Sequence, residues 1–396
     1  MMEIFIRFLW IQKGLKRLSF STIFLFASLI NGKEQQFDEG NSQLNFKESL
    51  SAQGIDFAGS FIYHLDTNLR GGIKKGVLNQ WLLDMSLLFH SDKIFGFSGG
   101  SLFVNFQAHE GKNPSFFLTG DALIFDGISA PDFVQLSEYW IQQKIDKFSA
   151  TFGRIDAINN FGFTRSADLI INNSEESLPT IIGFPTYPSP APGLILRYDW
   201  QKELQLKLGF FNCEEGVLSL VKIFSFGIWK DFFTNLFIIL EAEGDILDND
   251  ARYCIGFSYN RYDASYGPMK LGPVGWSGYF IGEYTAYEKY HGFFQAGIGN
   301  SNTILFPGYL GVGIKVEDPV PLKWKSYLSL AATTGFFSQN LPFYSSYSTA
   351  EISLEATYRL IYGHFGIQPD IQYIIRPGGL GLPNALAFIL SLDVAI

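Results

Sequence analysis

Apolar and polar residues alternate with a period of two along most of this chain. Between Phe365 and Arg376, Phe365, Ile367, Ile371, Tyr373 and Ile375 fall on odd positions, while Gln368, Asp370, Gln372 and Arg376 fall on even ones. In a β-strand these two sets point to opposite faces. The same pattern recurs upstream. Ile55, Phe57, Phe61, Tyr63 and Leu65 oppose Asp56, Ser60, His64 and Asp66, and Trp81, Leu83, Met85, Leu87 and Phe89 oppose Asp84, Ser86 and His90. It returns around Leu102–Phe106, Leu204–Phe210, Tyr253–Tyr259, Leu310–Val316, Ile352–Leu360 and Leu386–Ile396. Each run is about 9–12 residues long, the length that crosses a bilayer at a tilt, whereas soluble strands average about 5–6. Reading the whole chain this way predicts about sixteen strands. Two stretches depart from the rule: Gln135–Gln143 mixes residue classes on both faces, and Phe280, Gly282 and Tyr284 give a weak signal.

Burying both faces of so many long strands in a soluble core would strand Glu351, Glu355, Arg359, Asp370 and Arg376 away from water. That costs several kcal/mol for each charge left unpaired. Lipid, in turn, satisfies no backbone N–H or C=O, so a spanning sheet must close on itself. The expectation is an all-β fold: a transmembrane antiparallel β-barrel of about 16 strands, its oily face toward lipid and its ionic face toward a water-filled pore.

Composition supports that picture. Charged residues make up 17% of the 396-residue chain, against about 25% in typical soluble domains. Aromatic residues also make up 17%, with 40 Phe and 19 Tyr. Past Ile30 no apolar run reaches the length of a spanning helix. The first residues differ from the rest. Arg7, Lys13, Lys16 and Arg17 precede a short apolar stretch, Phe20–Ile30, followed by Asn31 and Gly32, which is the layout of a secretory signal peptide. A membrane anchor or buried helix is the alternative for this segment. The chain therefore divides into a signal peptide (1–32), a polar N-terminal tail (33–54) and an outer-membrane barrel (55–396) with a long loop at 155–192. Five prolines lie between Pro179 and Pro192 in that loop. It either folds inward to narrow the pore or caps the barrel outside. The net charge of −9 argues against nucleic acid as a partner, and loss of the basic leader makes the chain more acidic still.

Several motifs resemble one family. "QPDIQYIIRPGG" is similar to the near-terminal segment of the carbohydrate-selective porins, the OprB family, through Pro369, Asp370, Gln372, Tyr373, Pro377, Gly378 and Gly379, with Glu351, Glu355 and Tyr358 before it. "FIYHLDTNLRGGIKKG" resembles the family at Tyr63, Asp66, Asn68, Gly71, Gly72 and Gly76. "LSEYWIQQ" does so at Leu136, Glu138 and Gln142, and "FGRIDAINNF" at Gly153, Asp156 and Phe161, with Arg154 where the family usually has Lys. The resemblance covers roughly residues 50–396. It implies passive, saturable diffusion of mono- or oligosaccharides across the outer membrane, with no enzyme chemistry, cofactor or metal. The oligomeric state stays open.

Sugar hydroxyls accept from guanidinium groups and donate to carboxylates, and weak serial contacts permit release. The expected channel-lining residues are Arg154, Asp156, Arg165, Asp168, Glu351, Glu355, Arg359, Asp370, Gln372 and Arg376. For each, the alternative is a solvated or paired wall charge. Two other function classes stand beside the porin: an adhesin or structural barrel without an open pore, and a barrel hydrolase. None of the five histidines lies in a Gly-x-Ser-x-Gly or His-Glu-x-x-His frame. "EAEGDILDND" (Glu241–Asp250) reads as a polar hairpin turn. Cys213 and Cys254 read as two isolated thiols, with Cys254 facing the lumen; a bridge between them is the alternative.

Overall fold

The computed structural model describes residues 46–201, 203–212, 235–246, 250–261, 274–320, 323–340 and 348–396. A short helix spans Phe46–Ala52. The strands are β1 (Ile55–Arg70), β2 (Gly76–His90), β3 (Gly100–Gly111), β4 (Phe133–Ile145), β5 (Phe148–Ile155), β6 (Ala191–Gln201), β7 (Leu204–Asn212) and β8 (Leu236–Ile246). They continue with β9 (Ala251–Arg261), β10 (Val274–Ala286), β11 (Tyr290–Gly299), β12 (Gly308–Glu317), β13 (Lys325–Phe336), β14 (Ala350–Tyr362), β15 (Phe365–Ile375) and β16 (Ala385–Ala395). Each strand pairs antiparallel with its sequence neighbours, and β1 pairs with β16, so the sheet closes without an edge. Among the described residues no helix is long and apolar enough to cross a membrane.

The faces fall as the alternation requires. On β15, Ile371 is 44% exposed and Tyr373 40%, while Asp370 is 1% exposed and Gln372 has no exposure. Leu240, Ile255, Phe257, Phe294, Val312 and Leu354 are likewise exposed on the outside. An apolar outside over a polar inside is the inverse of a soluble core, and it is the arrangement that suits a lipid solvent.

Two of the weak sequence signals have physical causes. In β4 the register against β3 shifts between Asn105 and Phe106, so that Asn105 meets Glu138 while Phe106 meets Leu136. The extra residue, Ser137, is a β-bulge, and it moves the inward phase from Gln135 to Glu138. In β10 the inward positions Tyr279 and Ile281 are themselves apolar and buried, so the period-two contrast is lost. The hairpin reading of Glu241–Asp250 is corrected. β8 runs through Ile246, so Glu241 and Glu243 are wall residues with inward, buried side chains.

The connections differ at the two ends of the barrel. At one end they are short; at the other lie the long segments 112–132, between β3 and β4, and 156–190, between β5 and β6. Segment 156–190 carries its own apolar side chains. Phe161, Leu178 and Ile181 pack with the inward-facing Phe211, Phe237, Ile239, Cys254, Tyr279 and Ile281. A dry core thus sits inside the barrel, between one arc of the wall and the loop.

Candidate functional site

The polar inner face does not stand free in water. Five of its carboxylates accept hydrogen bonds from backbone N–H groups of segments 112–132 and 156–190. Glu138 on β4 accepts from Asp156 N at 2.8 Å, and Glu241 on β8 accepts from Gly162 N at 2.6 Å. Glu283 on β10 accepts from Ser166 N at 2.6 Å. Across the barrel, Glu355 on β14 accepts from Ile171 N at 2.6 Å and Asn172 N at 3.1 Å. Gln368 on β15 donates to Leu169 O at 2.7 Å. Segment 156–190 therefore leaves β5, touches β8 and β10, reaches β14 and β15 on the far side, and returns. It crosses the bore.

Arg154 and Asp156 fix the base of that loop. Arg154 has no exposed surface; its Nε donates to Pro190 O at 2.8 Å and its Nη1 to Leu136 O at 2.9 Å. It thereby ties the loop's end to its start. Asp156 accepts from Ile158 N and, at 3.1 Å, from Tyr187 N. Burial raises its carboxyl to about 6. Burial likewise pushes Glu175, farther along the loop, well above the usual carboxylate range.

Segment 112–132 is held in the same way. Glu351 on β14 accepts from Ala122 N and Leu123 N, at 2.8–3.0 Å, and from Gly378 N. Gln372 donates to Phe125 O at 2.7 Å. The two loops also bond each other, through Gly127 N to Ile171 O at 2.9 Å and Asn173 N to Ile124 O at 3.0 Å. Glycine is required where chains crowd here. Gly71 and Gly72 have φ of +72° and +61°, and a Cβ on Gly72 would lie 2.7 Å from Thr119 O. Gly378, at φ +64°, would place a Cβ 2.5 Å from Gly120 O.

On the β6–β10 arc the wall charges neutralise one another. Lys207 bridges Glu241 and Glu243, and Arg252 bridges Glu243 and Glu283. Arg165, whose side chain is 58% exposed, reaches Glu243 at 2.6 Å. Asp168, 46% exposed at its side chain, pairs with Lys315 at 2.9 Å. Arg359 pairs with Asp393 at 2.7 Å and is partly exposed. Arg376 is exposed, at the loop after β15. Asp370 is buried and bonds Gln372.

Two cavities lie on this framework. One, of about 370 Å³, is bounded by both long loops, from Ala122–Ile124 and Asn173 to Ala191. The other, of about 360 Å³, lies toward the short-turn end and is lined by Arg165, Asp199, Glu203, Gln205, Glu243 and Asp245. Thus Arg165 opens onto a cavity, while Arg154, Asp156, Glu351, Glu355, Asp370 and Gln372 are buried beneath the loops. The sequence reading did not single out Glu138, Lys207, Glu241, Glu243, Arg252 or Glu283 as site residues. Their inward phase was the available signal.

A family model described as carbohydrate-selective porin, OprB family, matches residues 83–286 and 281–392. The chain belongs to the OprB family of carbohydrate-selective porins. The barrel agrees. The high-pH structure of Pseudomonas putida OprB superposes with a TM-score of 0.75 at 17% identity, over 88% of this chain and 96% of that one. Its low-pH structure gives 0.57 at 15% identity, over 88% and 94%. The outer membrane channel DcaP of Acinetobacter baumannii gives 0.53 at 9% identity, over 86% and 97%. No curated protein matches the chain in sequence. Family and fold are those of a channel rather than an enzyme.

Proposed function

We propose that this OprB-family barrel lies in the outer membrane and passes mono- or oligosaccharides by passive diffusion through a lumen that segment 156–190 narrows. The observation that carries this reading is the crossing of the bore by that segment, held from both walls by Glu241, Glu283 and Glu355. The short-turn end faces the periplasm, as in other bacterial barrels. Residues 1–32 are the export signal and 33–54 a polar tail.

The ten residues expected to line the channel take two roles. Arg165, Asp168, Arg359 and Arg376 keep exposed or partly exposed side chains and meet the solute. Their charges exchange bonds with sugar hydroxyls as water leaves, and each contact is weak enough to release. Arg154, Asp156, Glu351, Glu355 and Gln372 set the shape of the passage by holding the loops, and Asp370 supports Gln372. Liposome swelling with glucose and larger oligosaccharides tests the division. Arg165→Ala is expected to slow glucose more than a small uncharged non-sugar solute. Equal slowing of every solute would contradict sugar recognition. A barrel that is structural or adhesive would give no swelling at all.

A further inference from the structure

One buried cluster is not used by the passage. His64 and Asp66 point inward from β1, and Asp126 comes down to them from segment 112–132. One ligand-type atom from each of the three lies within 4.8 Å of the other two. Their exposures are 4%, 0% and 0%. His64 Nδ1 is 2.8 Å from Asp126 Oδ2. Among the described residues, no Lys or Arg forms a salt bridge with either carboxylate, and His64 is Asp126's one basic partner.

The donors around this cluster do not suffice. Gln80, which faces His64 in the β1–β2 register, places Nε2 2.7 Å from Asp126 Oδ2, 3.1 Å from Asp66 Oδ2 and 3.1 Å from Ser129 Oγ. An amide nitrogen has two hydrogens for those three oxygens. Asp66 Oδ1 is buried and accepts from no N–H or hydroxyl donor, and the Asp66 and Asp126 carboxyl groups themselves lie in hydrogen-bond contact.

The Gln80 amide has a second conflict. His109 Nδ1 lies 3.2 Å from Pro131 O, so it carries the hydrogen. In a neutral ring Nε2 then accepts, yet it faces Gln80 Oε1 at 3.4 Å. Turning the amide over resolves this, because Nε2 then donates to His109. Gln80 Oε1 would then face Asp66 and Asp126 with no hydrogen between them. Oxygens about 2.7–3.1 Å apart are spaced as neighbouring ligands around one ion with bonds of about 2.0–2.2 Å.

We propose that His64, Asp66, Asp126 and Gln80 form a binding site for one divalent first-row metal ion, which pins segment 112–132 to the β1 wall. Imidazole beside carboxylate and amide oxygens suits zinc better than calcium or magnesium. The ion supplies the positive charge that Asp66 and Asp126 lack, and it joins a loop to the barrel where Asn68, Ile73 and Lys74 already donate to Leu118 O of the same segment.

The test uses the full barrel in detergent, stripped with a chelator and then dialysed against zinc. Elemental analysis is expected to find about one zinc per chain, with a raised unfolding temperature. Asp66→Asn keeps the shape of the side chain and is expected to weaken zinc binding at least about tenfold. His90→Ala removes an exposed Asp–His pair elsewhere and is expected to leave zinc binding unchanged. Retention of the barrel is read from its circular dichroism. Absence of bound zinc in the unaltered chain, or equal retention in folded Asp66→Asn, overturns the proposal and leaves a proton shared between Asp66 and Asp126.

Discussion

A carboxylate on the inside of a barrel has two partners to choose from: water in the bore, or the amides of a loop that fills it. Here the second prevails at Glu138, Glu241, Glu283, Glu351 and Glu355. A charge-assisted bond to a buried N–H contributes about 1.5–3 kcal/mol, and losing one partner leaves the other's desolvation uncompensated. Asp156 makes the balance measurable. Its folded carboxyl titrates near 6, above its ordinary 3.8, because of burial. The folded state thus holds a proton that the unfolded chain releases earlier. The Asp156 contribution is most favourable below pH 3.8, declines as pH rises from about 4 to about 6, and is flat above. The decline is on the order of 3 kcal/mol. Asp156→Asn lacks the titrating group, so the difference in stability between the two proteins should carry that decline, as read by denaturant unfolding at several pH values. A constant offset across pH 4–7 would show that the group does not titrate there. Cys254, with no exposure, should resist maleimide in the folded Cys213→Ser barrel and react once it unfolds. Cys213 itself lies outside the described residues.

At the scale of the element, the sequence carried the strands wherever one face met lipid and the other a polar interior. β1, β2, β14, β15 and β16 alternate cleanly for that reason. The pattern faded where the interior was dry: Phe237, Ile239, Tyr279 and Ile281 are apolar on the inward face because Phe161, Leu178 and Ile181 of the crossing loop pack on them. In β4 a single extra residue, Ser137, reversed the phase. The site was legible by half. The inward phase of Glu351, Glu355, Asp370 and Gln372 follows from alternation, but the groups of the two long loops that Glu351, Glu355 and Gln372 bond lie 183–247 positions away in sequence. No local pattern encodes such a meeting. A test belongs to this scale. Glu355→Ala leaves Ile171 N and Asn172 N without acceptors, at a cost of about 1–3 kcal/mol for each buried group. Amide exchange at 171 and 172 should accelerate, and larger oligosaccharides should enter liposomes faster. Unchanged exchange would mean that the far wall does not hold the loop.

For the whole molecule, closure of the sheet and inversion of its faces are two sides of one constraint. Lipid accepts side chains such as Ile371 and Leu354 but no unpaired backbone group, so the sixteen strands form a ring. Exposed aromatics gather near the short-turn end, where Tyr198, Trp200, Tyr287, Tyr290, Trp324 and Tyr362 form a girdle of the kind that marks a membrane interface. The inside is neither empty nor packed shut: two loops divide it, and charged groups border the cavity toward the short-turn end. Conductance of the barrel reconstituted in a planar bilayer, titrated with glucose and with longer oligosaccharides, tests this most directly. Discrete current steps that sugar blocks in a saturable manner are the predicted result. A barrel that inserts stably yet conducts nothing, or conducts without response to any sugar, would contradict it.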